Sequence, residues 1–282
     1  MTPPPIWCGP LHLEFGARTY VVGIINTAPD SFAGDGLAGD AGAAEALGRT
    51  MRAAGADILD VGGRSTRPGA VPVEEAEEAR RTVPAVRRLA AGGVPVSVDT
   101  ISARVAAAAL DAGAAMVNDV SGLRDPGMAP LVARAGVPVV VMDWNDRSDA
   151  PDVLAATAAF LRERIAAGVA AGIPEGRIII DPGYGFGLTV PQNMALLRRL
   201  RELTALGRPL FIGTSRKGSI GRVLNLSVDD RLEGTAATVA VAIANGADFV
   251  RVHDVAAMVR VARMTDAIVR GWPPAAGGAA SP

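Results

Sequence analysis

The chain of 282 residues is 49% hydrophobic with a mean hydropathy of +0.27, enough apolar material for one large core, and α/β barrels of about 250 residues form single domains. A formal net charge of −1 gives no global pull toward nucleic acid or a membrane surface, so any anion site has to be local. One cysteine, Cys8, excludes an internal disulfide framework, and the start MTPPPIW lacks the basic and apolar regions of a signal peptide, so the expectation is a cytoplasmic protein that neither spans a membrane nor binds nucleic acid.

In chain order, Leu11, Leu13 and Phe15 alternate with polar residues, and Gly16 turns the chain toward Arg18 and Tyr20. This predicts an N-terminal β-hairpin within residues 1–19 that covers one end of the core. From Tyr20 a second rhythm begins. Short apolar runs predict strands at 20–25, 58–61, 94–98, 115–117, 138–142, 178–180, 210–212 and 249–252. Helical spacing predicts helices between them, at 41–54, 73–91, 102–112, 152–171, 192–205, 231–245 and 255–270. The stretch 94–119 shows the unit: a β-branched run stops at Asp99, an alanine-rich helix follows, and a second run ends in Asn118 and Asp119. A crossover of this length makes the strands parallel, so Asp99 and Asn118 fall on the same edge of the sheet. Eight alternations favour a closed (β/α)8 TIM barrel over residues 20–271 rather than an open doubly wound sheet. The Pro/Gly/Ala-rich end, 272–282, reads as a disordered tail.

Polar residues follow nearly every run: Asn26, Gly62 and Gly63, Asp99, Asn118, Asp143, Asp181, Gly213 to Ser215, and His253 after Arg251. In a barrel these line the C-terminal mouth. One such residue alone is as well explained as a helix N-cap, but six together are not. Lys217 stands out as the single lysine among 28 basic residues. Its compact charge fits either a Schiff-base amine, as in barrel aldolases, or a donor to a ligand heteroatom or anion. The loop around it, GTSRKGSIG, runs into a helix and offers backbone N–H groups to an anion.

Arg251 and His253 flank Val252, so they share one side of the last strand. With Asn26 they suit a phosphate-like leaving group, although an ion pair with Asp254 is the plainer alternative. Asp99, Asn118, Asp181 and Lys217 suit a flat heterocycle with alternating N–H and C=O edges. Two histidines in the whole chain argue against zinc. Magnesium, which needs one or two protein oxygens when substrate phosphates complete its shell, stays open. Two irregular loops, 26–32 and 62–69, complete the mouth, with Phe32 and Arg67 unusual for idle linkers.

At these residues the chain resembles the dihydropteroate synthases of the pterin-binding enzyme family. GIINTAPDSF, DILDVGGRSTRPG, VPVSVDT, MVNDVSG, DPGYGFG, GTSRKGSIG and RVHDV stand in the family's order and spacing. The resemblance implies a TIM-barrel transferase, a homodimer, that joins 6-hydroxymethyl-7,8-dihydropterin diphosphate to 4-aminobenzoate and releases diphosphate. Carried over by position, Asp99, Asn118, Asp181 and Lys217 correspond to the pterin pocket. Asn26, Arg251 and His253, with Asp30, resemble the diphosphate and Mg²⁺ group, Asn26 being the metal ligand. Thr66, Arg67 and Pro68, with Phe32 and Ser215, resemble the aminobenzoate side. Asn26, Arg67, Lys217, Arg251 and His253 would then carry the catalytic work. The chain departs from the family's usual pattern at Arg64 (usually glutamate), Ala28 (threonine), Asp143 (histidine) and Leu188 (lysine). These positions bear on aminobenzoate affinity and on sensitivity to sulfonamide analogues. A pterin-binding methyltransferase and a catalytically silent pterin-binding paralogue are the competing readings.

Overall fold

The computed structural model describes residues 2–28, 36–64 and 73–272. At its start two short strands, β1 (Ile6–Cys8) and β2 (Leu11–Leu13), pair antiparallel. Gly9 between them takes φ +55°, a turn conformation that favours glycine. A hairpin therefore forms, but between 6–8 and 11–13 rather than between 11–15 and 18–20. Ile6, Cys8 and Leu13 have an apolar floor to bury against, whereas Tyr20 already belongs to the next sheet.

That sheet is made of β3 (Tyr20–Asn26), β4 (Ile58–Gly62), β5 (Val96–Asp99), β6 (Met116–Asp119), β7 (Val139–Met142), β8 (Ile178–Asp181), β9 (Phe211–Ile212) and β10 (Phe249–Val252). Every pairing within it is parallel, in the order β8-β7-β6-β5-β4-β3-β10-β9. A parallel bridge from Ile180 to Leu210, with Ile180 N–H donating to the Pro209 carbonyl at 2.9 Å, joins the two ends. This is the TIM barrel that the repeated runs predict.

Nine helices lie among the described residues: α1 (Ala41–Ala53), α2 (Glu75–Ala91), α3 (Ala103–Asp111), α4 (Met128–Ala135), α5 (Val153–Ala170), α6 (Val190–Arg199), α7 (Gly218–Leu224), α8 (Leu232–Ala244) and α9 (Val255–Arg270). Side-chain caps start several of them: Ser102 accepts from Val105 N–H, Asp152 from Leu154 and Ala155 N–H, and Thr189 with Gln192 forms a capping box. The helix expected over 192–205 instead runs over α6 and then tightens into a 3₁₀ segment, Leu200–Leu206, ended by Gly207 at φ +66°. Two further helices, α4 and α7, are too short to show a clear helical period in the sequence.

Strand parity divides the core in two. Outward residues such as Val96, Val98, Val117, Val139 and Val141 pack against the helices. Inward residues near the strand starts, including Tyr20, Val22, Ile58, Met116, Val140, Ile179, Phe211 and Phe249, form a second cluster closed from below by Ile6, Cys8, Leu13 and Phe15. Its centre is aromatic, with ring centroids of Tyr20 and Phe249 5.4 Å apart and those of Phe211 and Phe249 5.8 Å apart. Above this plug the same inward parity carries polar groups. Register alone sets Asn26 beside Gly62, Gly62 beside Asp99, and Asp99 beside Asn118.

Candidate functional site

The floor of the mouth is an ion-paired knot. Arg251, inward on β10, donates through Nε to Asp60 Oδ2 at 2.6 Å and through a terminal nitrogen to Asp99 Oδ2 at 2.8 Å. Asn118 Nδ2 donates to the same Asp60 oxygen at 3.0 Å. Among the described residues, each carboxylate keeps a second buried oxygen, Asp60 Oδ1 and Asp99 Oδ1, without a protein partner. Buried acceptors left in this state are costly unless a ligand or water meets them. Burial, with Asp60 and Glu78 nearby, pushes the Asp99 carboxyl up to about 7 despite Arg251. Asp99 and Asn118 thus share one space, as their crossover implies.

Asp181 and Lys217 lie close enough at the mouth for each to feel the other's charge. Asp181 ends β8, is 6% exposed and accepts from Gly183 N–H at 2.8 Å. Burial lifts its carboxyl to about 6, against the opposing pull of that bond, Lys217 and Arg251. Lys217 places Nζ 3.7 Å from the centroid of Phe186, a cation–π contact. Gly185 leaves the room for it, since a Cβ there would sit 2.8 Å from Lys217 Cδ. Desolvation and then Arg251 lower the Lys217 ammonium to about 8, with Asp181 and Asp99 acting the other way. Just before it, Arg216 takes φ +55°, a strained value for a side-chain-bearing residue. Two bonds to Asp254, at 3.0 and 2.6 Å, and one from its N–H to Thr235 Oγ1 at 3.1 Å hold that turn. Asp254 therefore serves Arg216 rather than Arg251 or His253.

At the rim, Ser215 Oγ lies 2.9 Å from His253 Nδ1 and accepts from His253 N–H at 3.2 Å. Asn26 ends β3 beside Gly62. Among the described residues no cluster of three or more His, Cys, Asp or Glu side chains is placed to hold a metal. A donor set of one amide oxygen at the rim fits Mg²⁺ only as an ion completed by substrate phosphates and water. Asp30, Phe32, Thr66, Arg67 and Pro68 lie outside the described residues. At the stem of the second loop, Arg64 faces fully buried Glu78 at 3.7 Å, and Thr100 Oγ1 donates to Glu78 Oε1 at 2.6 Å. After β7, Asp143 is gripped by Arg147 Nε at 3.1 Å and by Asn145. Both departures thus carry their own partners.

Sequence reasoning singled out Asp99, Asn118, Asp181, Lys217 and Arg251, and the fold brings them to the same barrel mouth. It missed Asp60, buried mid-strand in DILDV, and Phe186, which walls the lysine. The inward parity of β4, counted back from Gly62, is the signal that points to Asp60.

Comparison with known proteins agrees with this arrangement. Residues 22–253 match the family described as pterin binding enzyme. The dihydropteroate synthase of Clostridium beijerinckii is 43% identical over 265 residues, covering 93% of this chain and 98% of its own. Dihydropteroate synthase from Xanthomonas albilineans, solved with 4-aminobenzoic acid, superposes with a TM-score of 0.88 at 42% identity over 95% of this chain and 98% of that one. The same enzyme in complex with 7,8-dihydropteroate gives a TM-score of 0.85 at 42% identity over 94% and 98%. With a match this long in both sequence and fold, the chain belongs to the pterin-binding enzyme family, among its dihydropteroate synthases.

Proposed function

We propose that this chain condenses 6-hydroxymethyl-7,8-dihydropterin diphosphate with 4-aminobenzoate to give 7,8-dihydropteroate and diphosphate. The observation that carries the reading is the ring of Asp99, Asn118, Asp181 and Lys217 in one mouth, three acceptor-bearing side chains opposite one cation. The carboxylates and the amide take N–H donors from the bicyclic ring, and Lys217 meets one of its acceptor atoms. A ring fixed in this way presents its methylene carbon in one direction, toward the rim. The aniline nitrogen supplies the electron pair for the new C–N bond, the methylene C–O bond breaks, and diphosphate leaves with its electrons while the nitrogen gives up a proton. Most of the acceleration then comes from holding the two reactants in line. Arg251, once drawn from Asp99 by the incoming ring, supplies charge for the leaving group, and His253 beside Ser215 faces the same rim. Mg²⁺, held by Asn26 and the diphosphate oxygens, would add charge stabilisation when bound.

The same reading makes the protein a cytoplasmic homodimer. Exposed Val223, Leu224, Leu232, Val241, Met264, Ile268 and Val269 lie on α7, α8 and α9, which neighbour one another, and support an apolar contact between two copies. Cys8, whose buried thiol is pushed up to about 12, is inert to disulfide exchange, and among the described residues no helix is long and apolar enough to cross a membrane.

Purified protein mixed with the pterin diphosphate, Mg²⁺ and 4-aminobenzoate is expected to release diphosphate and form dihydropteroate in equal amounts. Absence of release above background at every Mg²⁺ concentration would sink the synthase reading.

A further inference from the structure

Asp60 is fully buried at the middle of β4, one inward step below Gly62, with Ile24 and Ser97 as its register partners. Its Oδ2 accepts from both Arg251 and Asn118, at 2.6 and 3.0 Å. A carboxylate oxygen already taking a guanidinium N–H serves as an acceptor for its second partner as well. The end of the Asn118 amide that meets it must therefore be the NH₂ group, and the carbonyl oxygen lies on the opposite branch. We propose that Asp60 is a positioning residue that sets the ring preference of the pocket, by locking the Asn118 amide so that its oxygen joins Asp99 and Asp181 as a third acceptor. The proposal rests on the pterin reading above and adds to it a residue outside the four that meet the ring.

The consequence is chemical. A 2-amino-4-oxo pteridine offers N–H donors at its 2-amino group and N3. The 2,4-dioxo analogue, a lumazine, has an acceptor oxygen in place of the amino donor. Three acceptors favour the first ring and repel the second. An Asn118 amide free to rotate would turn its NH₂ to the lumazine oxygen and accept it. Discrimination by a hydrogen-bond acceptor of fixed direction is strong, because the wrong ligand leaves two lone pairs facing each other in a buried site.

The test is the ratio of affinities for 6-hydroxymethylpterin and 6-hydroxymethyllumazine, measured by calorimetry on the full chain. Wild-type protein favours the pterin. Asp60→Ser replaces the carboxylate by a hydroxyl that donates as readily as it accepts, so the ratio falls by about tenfold or more, the lumazine gaining affinity while the pterin loses it. A purely structural injury would weaken both rings together. Asp60→Ser/Asn118→Asp restores an acceptor at position 118, and the ratio returns to within about threefold of wild type. An unchanged ratio in the single variant, an equal loss for both rings, or no recovery in the double variant overturns the proposal. Should Asp60→Ser fail to fold, the isosteric Asp60→Asn decides. Its amide can donate as well as accept, so the Asn118 amide is no longer held one way and the ratio falls likewise, and an unchanged ratio would overturn the lock. Wild-type protein that binds neither ring refutes the pterin reading itself, and the proposal with it.

Discussion

Lys217 has a place in this mouth that a guanidinium does not share. Its ammonium sits over Phe186 and its stem runs past Gly185, where a Cβ would already collide at 2.8 Å. A wider, planar head group has to displace the ring or leave the mouth. Lys217→Arg is therefore expected to lower kcat/KM by about a hundredfold with little change in melting temperature, and steady-state kinetics showing near-normal turnover would contradict the assignment. Titration supplies a second prediction. A carboxyl whose pKa is higher folded than unfolded binds its proton more tightly in the fold. The stability tied to Asp99 and Asp181 is thus greatest below the ordinary carboxylate range and is lost as pH climbs to about 7 and about 6 respectively. Lys217, lowered to about 8, runs the other way and destabilises the fold as pH falls from its ordinary value through 8. Ring binding needs both carboxylates ionised and the lysine charged. Affinity for a pterin should therefore peak between pH 7 and 8 and decline on either side. Calorimetry between pH 5 and 9 that gave a flat profile would refute this. Most of the site was legible in the sequence because Asp99, Asn118 and Asp181 each end an apolar run. Asp60 interrupts one instead, and only a firm strand register separates such a residue from a break in the pattern.

The elements that aim these residues depend on close backbone approaches. In the segment after β8, Gly183 takes φ +74°, and a Cβ there would lie 2.0 Å from the Asp143 carbonyl oxygen. Gly183→Ala meets both the backbone cost and the collision, about 2–4 kcal/mol in all. It also weakens the bond from its N–H to Asp181. Denaturant unfolding should show the stability loss and calorimetry a weaker grip on the pterin, and a variant as stable as wild type would mean that the two loops adjust freely. Element positions in the barrel followed from the apolar rhythm, since each strand is buried on both faces and reads as a continuous run. The N-terminal hairpin was harder. Alternation at Leu11, Leu13 and Phe15 is genuine, but their partner had to be chosen between Ile6–Cys8 and the chain after Gly16, and burial beneath the barrel decided it. Helical spacing runs on to 205, so the change from α6 to a 3₁₀ turn over Leu200–Leu206 leaves no mark of its own in the pattern.

For the molecule as a whole, closure of the sheet was the property that spacing alone did not prove, and register within the folded barrel supplied it. The remaining apolar surface is outside. The side chains exposed on α7, α8 and α9 support association of two 28.8 kDa chains. Sedimentation equilibrium is expected to find the dimer, and Ile268→Asp, at a position 70% exposed in the single chain, to shift it toward monomer without unfolding. A wild-type monomer at micromolar concentration would refute the contact.

The barrel also has a seam. β9 has two residues, paired with Phe249 and Val250 on one side, and beside β8 the ladder is reduced to the single bridge from Ile180 to Leu210. A hoop parts at its thinnest joint, and here the joint divides Asp181 on one stave from the segment that leads to Lys217 on the next. Any ring clasped by both residues acts as a rivet across that gap, so filling the mouth and tightening the barrel are one event.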